Sequence, residues 1–273
     1  EYRLDYAIRH FPKPIIVWGD GITMGGGIGV MSGGSHRIVT ETTMMAMPEI
    51  TIGLYPDVGA SKFLPEMPGR LGLFLGLTAA RFYASDALFV GLADHFVPRA
   101  NKAALWSALT SMAFESKGTH HEQITQCIKA LSAEPPLSVL KNRQAEIDAL
   151  MAGDDVGTIM ARFDALDLKG EDQFLSAARS SMSRGSPTSL ALTFEQYRRS
   201  KGLSWKAAFE QELILSLQCC LHHDFAEGVR ALLIDKDNAP RWVPPTLGAV
   251  TQEAVLEHFQ APWNGEPNPL HNL

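Results

Sequence analysis

Leu4, Ala7, Ile8 and Phe11 recur at the spacing of one helix face from the first residues onward, and Pro12 and Pro14 close the pattern, so residues 1–11 read as a helix. The chain begins inside that pattern at Glu1 and without a methionine. We therefore expect it to be part of a longer product. Ile15-Ile16-Val17-Trp18 follows as an unbroken apolar run rich in β-branched residues, the mark of a strand in a sheet covered on both faces. In residues 26–33, Ile28, Val30 and Met31 predict a short buried helix, with Gly29 allowing close backbone approach. Residues 37–40 and 44–46 are brief strand candidates. Pro48 and Pro56 disfavour helix just before them, which puts Glu49 and Asp57 at strand ends or turns. Residues 59–64 and 71–77 read as helical, separated by Pro65 and Pro68; Ser85-Asp86 caps a short helix that Gly91 stops, and residues 93–97 form a last strand.

Beyond residue 100 the pattern changes. Residues 101–116, 121–131, 137–151, 155–167, 171–183, 187–200, 205–222 and 224–234 carry helical periodicity, with no strand signal between them. Ser186-Pro187 and Ser204-Trp205 mark helix starts, and Gly170 and Gly202 mark stops. The expected class is α/β, with an α/β core over residues 1–100, a helical region over 101–273, and a largely extended proline-rich tail from Pro240. No internal repeat breaks that scheme.

Composition narrows the picture without redirecting it. Of the 273 residues, 45% are hydrophobic and 20% charged, as in a globular protein, and the net charge of −6 gives no general attraction for nucleic acid or an anionic membrane. An anionic small ligand would need a local basic pocket. Three cysteines, two of them adjacent at Cys219 and Cys220, form neither a disulfide framework nor a zinc spacing, which fits a reducing compartment. No apolar run reaches the roughly 18 residues of a membrane span, and no basic segment precedes an apolar one at the start.

The chemistry is concentrated between Asp20 and Gly59. The cluster Gly21-Ile22-Thr23-Met24-Gly25-Gly26-Gly27 fits no GxGxxG register and lacks the GK[ST] of a phosphate loop. It reads as a strand-to-helix turn whose amides favour negative charge on an oxygen, or simply as a structural turn. Glu49 and Asp57 each follow a proline in a segment otherwise built from Met44, Met45, Met47, Ile50, Ile52 and Leu54. A carboxylate drawn into such surroundings has a raised pKa, as a general acid or base needs; the alternative is two solvent-facing acids on turns. His120-His121 and His222-His223 are adjacent on expected helices and point about 100° apart, so neither pair shares a metal face, and we expect no metal. No GxSxG surrounds Ser32 or Ser35, and the methionine cluster reads as adaptable core or acyl-pocket lining.

The glycine cluster, Met47-Pro48-Glu49 and Gly53-Leu54-Tyr55-Pro56-Asp57-Val58-Gly59 together resemble the crotonase (enoyl-CoA hydratase/isomerase) superfamily, and within it the 3-hydroxyisobutyryl-CoA hydrolases. The likeness continues in Phe63-Leu64-Pro65, in Ser186-Pro187-Thr188-Ser189-Leu190 and in the segment from His223 to Asp237, so it covers nearly the whole chain. It implies a crotonase-like ββα superhelix without its N-terminal strands, followed by the helical region. It further implies hydrolysis of an acyl-CoA thioester in valine degradation, with CoA as part of the substrate and no separate cofactor. A homo-oligomer is possible in this family, as is a location in a bacterial cytoplasm or a mitochondrial matrix.

Carried over residue by residue, the resemblance makes Gly26 an oxyanion-hole donor and Glu49 the catalytic glutamate. Asp57 would position the substrate's 3-hydroxyl, and Glu1 and Gly25 would contact substrate. Hydratases of the superfamily carry a second glutamate where this chain has Gly29 and a glycine where it has Asp57, which argues for the hydrolase branch. A second oxyanion donor, in an Ala-Gly-Gly-Asp-like loop that also grips CoA, is expected upstream of Glu1. The competing readings are an enoyl-CoA hydratase or isomerase and, from another class, a catalytically silent scaffold or oligomerisation protein.

Overall fold

The computed structural model describes residues 1–114, 120–168 and 172–273. In chain order it runs α1 (Tyr2–Arg9), β1 (Ile16–Gly19), β2 (Ile22–Met24), α2 (Gly26–Gly33), β3 (His36–Val39), β4 (Met44–Ala46) and a 3-10 turn (Glu49–Ile52). There follow α3 (Ala60–Phe63), a 3-10 turn (Leu64–Glu66), α4 (Leu71–Thr78), β5 (Phe82–Tyr83), α5 (Ala84–Phe89) and β6 (His95–Phe96). After that the described elements are helices alone: α6 (Lys102–Thr110), α7 (His120–Leu131), α8 (Val139–Leu150), α9 (Val156–Asp164), α10 (Gln173–Arg184), α11 (Pro187–Arg199), α12 (Trp205–Leu221), α13 (His223–Val229) and α14 (Gln252–Glu257). The expected stop at Gly170, the end of the 101–116 helix and the first residue of the 171–183 helix lie outside the described residues.

Contacts divide the chain into two compact units, one of Glu1, Arg3–Met45 and Arg81–Arg143, the other of Tyr2, Ala46–Ala80 and Gln144–Leu273. In the first, β1, β3 and β6 form a parallel sheet in that order, with Ile16 opposite His36 and Ile38 opposite His95. Parallel neighbours need a crossover between them, and α2 supplies it from β1 to β3. Ile38, Val97, Leu105, Ile124 and Ile128 form its core, so α6 and α7 cover this sheet. A second sheet runs in the order β2, β4, β5, with β4 and β5 antiparallel. Residues 16–18 are only half-buried, less than an unbroken apolar run predicts, because β1 is an edge strand of its sheet.

In the second unit α4 is buried along its whole length and packs against α10 and α11, while α12 packs on α3. Tyr55, Leu192, Leu215, Cys219 and Val255 form a further core. Two glycines seat the turn that begins at Glu49. A Cβ on Gly53, whose φ is 72°, would overlap the backbone of Asp224, and a Cβ on Gly228 would overlap the backbone of Ile52. The turn therefore crosses α13 backbone to backbone at both ends of the contact.

Three expectations change. The tail is not largely extended: Thr251 accepts a hydrogen bond from the Ala254 amide and caps α14, which buries Val255. The N-cap of α5 is Tyr83 rather than Ser85, while Asp86 does cap the helix, accepting from the Tyr83 amide at 3.1 Å as well as from Ser138 and Leu140. His222 lies at the junction of α12 and α13 rather than within a helix.

Candidate active site

The glycine cluster sits where β2 hands over to α2. Gly25 has φ 51° and ψ −128°, a backbone state that a side chain would strain, and it allows the chain to turn directly into the helix. The helical ladder begins with the Ile28 and Gly29 amides donating to the Gly25 carbonyl at 2.8 and 3.3 Å. The amides of Gly26 and Gly27 precede that ladder and form the positive end of α2. Glu1 Oε1 stands 2.6 Å from the position a Cβ on Gly26 would take, so the structure brings together three residues expected to contact substrate, Glu1, Gly25 and Gly26. A side chain at position 26 would displace the Glu1 carboxylate from this place.

Glu49 opens its 3-10 turn immediately after Pro48, and Gly53 in the left-handed conformation ends it. Glu49 is 4% exposed, and its Oε2 has no hydrogen-bond partner among the described residues. An unpartnered buried carboxyl oxygen is costly unless it is protonated or reserved for a ligand. Burial, and then the charge of Asp57, push the Glu49 carboxyl well above the usual range, and a hydrogen bond from its own amide only partly offsets them. Glu49 is therefore not a solvent-facing acid on a turn.

Asp57 is half-buried in the loop before α3. It accepts a hydrogen bond from the Tyr2 hydroxyl at 2.8 Å. Tyr2 in turn lies 2.6 Å from Ser216 Oγ and 3.4 Å from the Tyr55 hydroxyl. Glu212, one turn before Ser216 on α12, is fully buried and uses both carboxyl oxygens to accept from the amides of Gly59 and Ser61, each at 2.8 Å. Burial and the charge of Asp57 raise the Glu212 carboxyl to about 8 in spite of those two bonds.

Sequence reasoning missed Tyr2, Glu212 and Ser216. One signal was present: Glu212 falls on the apolar stripe Ala208, Phe209, Leu215, Cys219 of α12, where a carboxylate stands only with partners. The histidines meet across elements instead of along them, His222 lying tilted against His258 at 4.1 Å and His36 stacking on His121 at 5.6 Å. Among the described residues no group of histidine, cysteine, aspartate or glutamate is arranged to hold a metal ion, and no helix is long and apolar enough to cross a membrane.

Comparison with known proteins gives a consistent set of relatives. A family model described as enoyl-CoA hydratase/isomerase matches residues 1–259. The mitochondrial 3-hydroxyisobutyryl-CoA hydrolase of Danio rerio is 38% identical over 267 residues, which is 96% of this chain and 68% of that protein. The human protein of the same name is 35% identical over 266 residues, 96% of this chain and 67% of its own length. The chain thus spans about two thirds of the curated relatives it matches. Among solved structures, a carnitinyl-CoA dehydratase from Mycobacterium thermoresistibile matches with a TM-score of 0.84 at 37% identity, covering 97% of this chain and 73% of that one. An enoyl-CoA hydratase from Rhodobacter sphaeroides 2.4.1 matches with a TM-score of 0.82 at 38% identity, covering 94% and 71%.

Proposed function

The chain belongs to the enoyl-CoA hydratase/isomerase family, and from that premise we propose that it hydrolyses an acyl-CoA thioester, with 3-hydroxyisobutyryl-CoA as the substrate. The observation that carries this is the buried Glu49 carboxyl with its unpartnered Oε2 and the charge of Asp57 acting on it. Relatives that bear the hydrolase name, at 35% to 38% identity over nearly the whole chain, support it. The crotonase fold is supported by the matching solved structures. In this reading CoA arrives as part of the substrate, no separate cofactor takes part, and the reaction belongs to valine degradation. Relatives named as mitochondrial point to the matrix in a eukaryote, while a bacterial protein would act in the cytoplasm.

As the thioester carbon becomes tetrahedral its oxygen gains charge, and the Gly26 amide donates to it, a contribution of about 2.7–4 kcal/mol per donor. Ionised Glu49 has two routes. It attacks the carbonyl carbon, expelling CoA thiolate and leaving a mixed anhydride that water opens, or it takes the proton of a water that attacks instead. Both routes end with one water consumed, the C–S bond broken and a free acid beside CoA. Asp57, ionised, receives the 3-hydroxyl of the acyl group, and the thiolate takes up the proton that the attacking water releases.

The test is release of CoA, followed with a thiol reagent, alongside hydration of crotonyl-CoA, both on the full chain. We expect CoA from 3-hydroxyisobutyryl-CoA and no hydration of crotonyl-CoA. Asp57→Gly is expected to retain thioester hydrolysis while losing the preference for hydroxylated acyl groups. Hydration without CoA release would select the hydratase reading, which the names of the matching solved structures favour. Neither activity on a panel of acyl-CoAs would leave a silent scaffold.

A further inference from the structure

The Asp57 carboxylate ends a chain of hydroxyl groups whose direction is set by counting protons. Tyr2 donates to Asp57 Oδ2 at 2.8 Å, and Tyr55 donates to the Glu212 carbonyl at 2.5 Å. A carboxylate and a carbonyl accept only, so each tyrosine's single proton is committed. Ser216 Oγ, 2.6 Å from the Tyr2 oxygen and 2.7 Å from the Tyr55 oxygen, must then donate to one of the two phenol oxygens. When Tyr2 is the acceptor, the order runs from Ser216 to Tyr2 to Asp57. Tyr2 is 9% exposed and Tyr55 fully buried, so water competes little for these bonds.

The Tyr2 ring is independently fixed, its centroid 5.7 Å from that of Phe209 on α12. Burial and the charges of Asp57 and Glu212 hold its phenol above the usual tyrosine range, so it remains a donor wherever the protein is folded. Just beyond Asp57, the Glu212 carboxyl grips the amides of Gly59 and Ser61. The loop is thus pinned behind the acid while Tyr2 pins the acid itself.

We propose that Tyr2 is a positioning residue for acyl-group selection, its hydroxyl fixing the Asp57 carboxylate in the orientation that receives the substrate's 3-hydroxyl. The proposal rests on the assignment of Asp57 as the hydroxyl-binding acid. Selectivity then depends on a phenol that acts through Asp57, and on Ser216, which orients that phenol.

The experiment compares 3-hydroxyisobutyryl-CoA with isobutyryl-CoA, identical but for the hydroxyl, in the wild type, Tyr2→Phe and Ser216→Ala, with kcat and KM read separately. Tyr2→Phe keeps the ring against Phe209 and removes one oxygen. It should lower the hydroxyl preference in kcat/KM by about tenfold, the worth of a hydrogen bond to a charged group, while isobutyryl-CoA turnover stays near the wild-type value. Ser216→Ala should lower the preference in the same direction by less, and it decides the matter if Tyr2→Phe does not fold. Equal losses on both thioesters, or an unchanged preference, would overturn the positioning role. A wild type that shows no preference at all would instead remove the assignment of Asp57, a result the mutants cannot mimic.

Discussion

Glu49→Gln is expected to lower thioester turnover by about 10² to 10⁴, the range for loss of a general base, and at neutral pH to make the protein more stable. The carboxamide neither attacks the carbonyl nor accepts a proton from water. The stability gain follows from linkage. The folded chain holds the Glu49 proton more tightly than the unfolded chain, whose carboxyl titrates near 4.5. Below that pH both states are protonated and the contribution of Glu49 is at its most favourable. As pH rises the unfolded chain releases its proton first, and stability falls by about 1.4 kcal/mol per pH unit until the raised folded pKa is passed. Glutamine has no such loss. Melting curves of both proteins from pH 4 to 8 should therefore nearly coincide at the acid end and separate above pH 5, with the variant higher. The acid limb of the wild-type rate profile should lie above the ordinary glutamate range. Near wild-type turnover in the variant would end the assignment of Glu49, and a wild type that gains on the variant as pH rises would contradict the raised pKa.

The largest purely structural effect is expected from Glu212→Ala. Both carboxyl oxygens accept from buried amides, those of Gly59 and Ser61, and removing them leaves two donors without partners. At about 1–3 kcal/mol for each orphaned donor, the loss is on the order of 2–6 kcal/mol before any cavity is counted. That corresponds to a fall in Tm on the order of 10 °C for a chain of this size. Glu212→Gln keeps the shape and one acceptor but sets its NH₂ against an amide donor, so it should fall between. Amide exchange gives the local readout: Gly59 and Ser61 should lose protection in the alanine variant more than the sheet of β1, β3 and β6. Unchanged protection at those two amides would show that Glu212 does not hold the loop.

What the sequence discloses depends on how local the physics is. The short helix α2, the strand that leads to it and the turn at Glu49 follow from glycines, prolines and apolar runs within a few residues of one another, and they are legible. The helices beyond residue 100 follow from periodicity in the same way. The strands β2 and β5, of three and two residues, are too short for any alternation to emerge. Helix α14 was hidden because the prolines from Pro240 onward dominate its neighbourhood, although the Thr251 cap was there to be read. The chemistry divides likewise. Glycine triplet and acids announce themselves, whereas Tyr2 meets Ser216 across 214 positions of chain. No local pattern marks such a pair; only the anomalous Glu212 in an apolar stripe hints that a polar network lies there.

The crossing of Ile52 and Gly53 with α13 bears on how mutational tolerance would be distributed. In a library that replaces every residue in turn, with growth as the readout, residues 53 and 228 should be as intolerant as residue 49, although neither would meet the substrate. At both positions the atom in the way belongs to backbone, which no rotamer change can move aside. Pairing a substitution at 53 with one at 228 should rescue nothing, because each would drive the same two segments further apart. Intolerance at these two sites reports the seating of the catalytic turn, and a map that scored it as chemistry would draw the active site two residues too large.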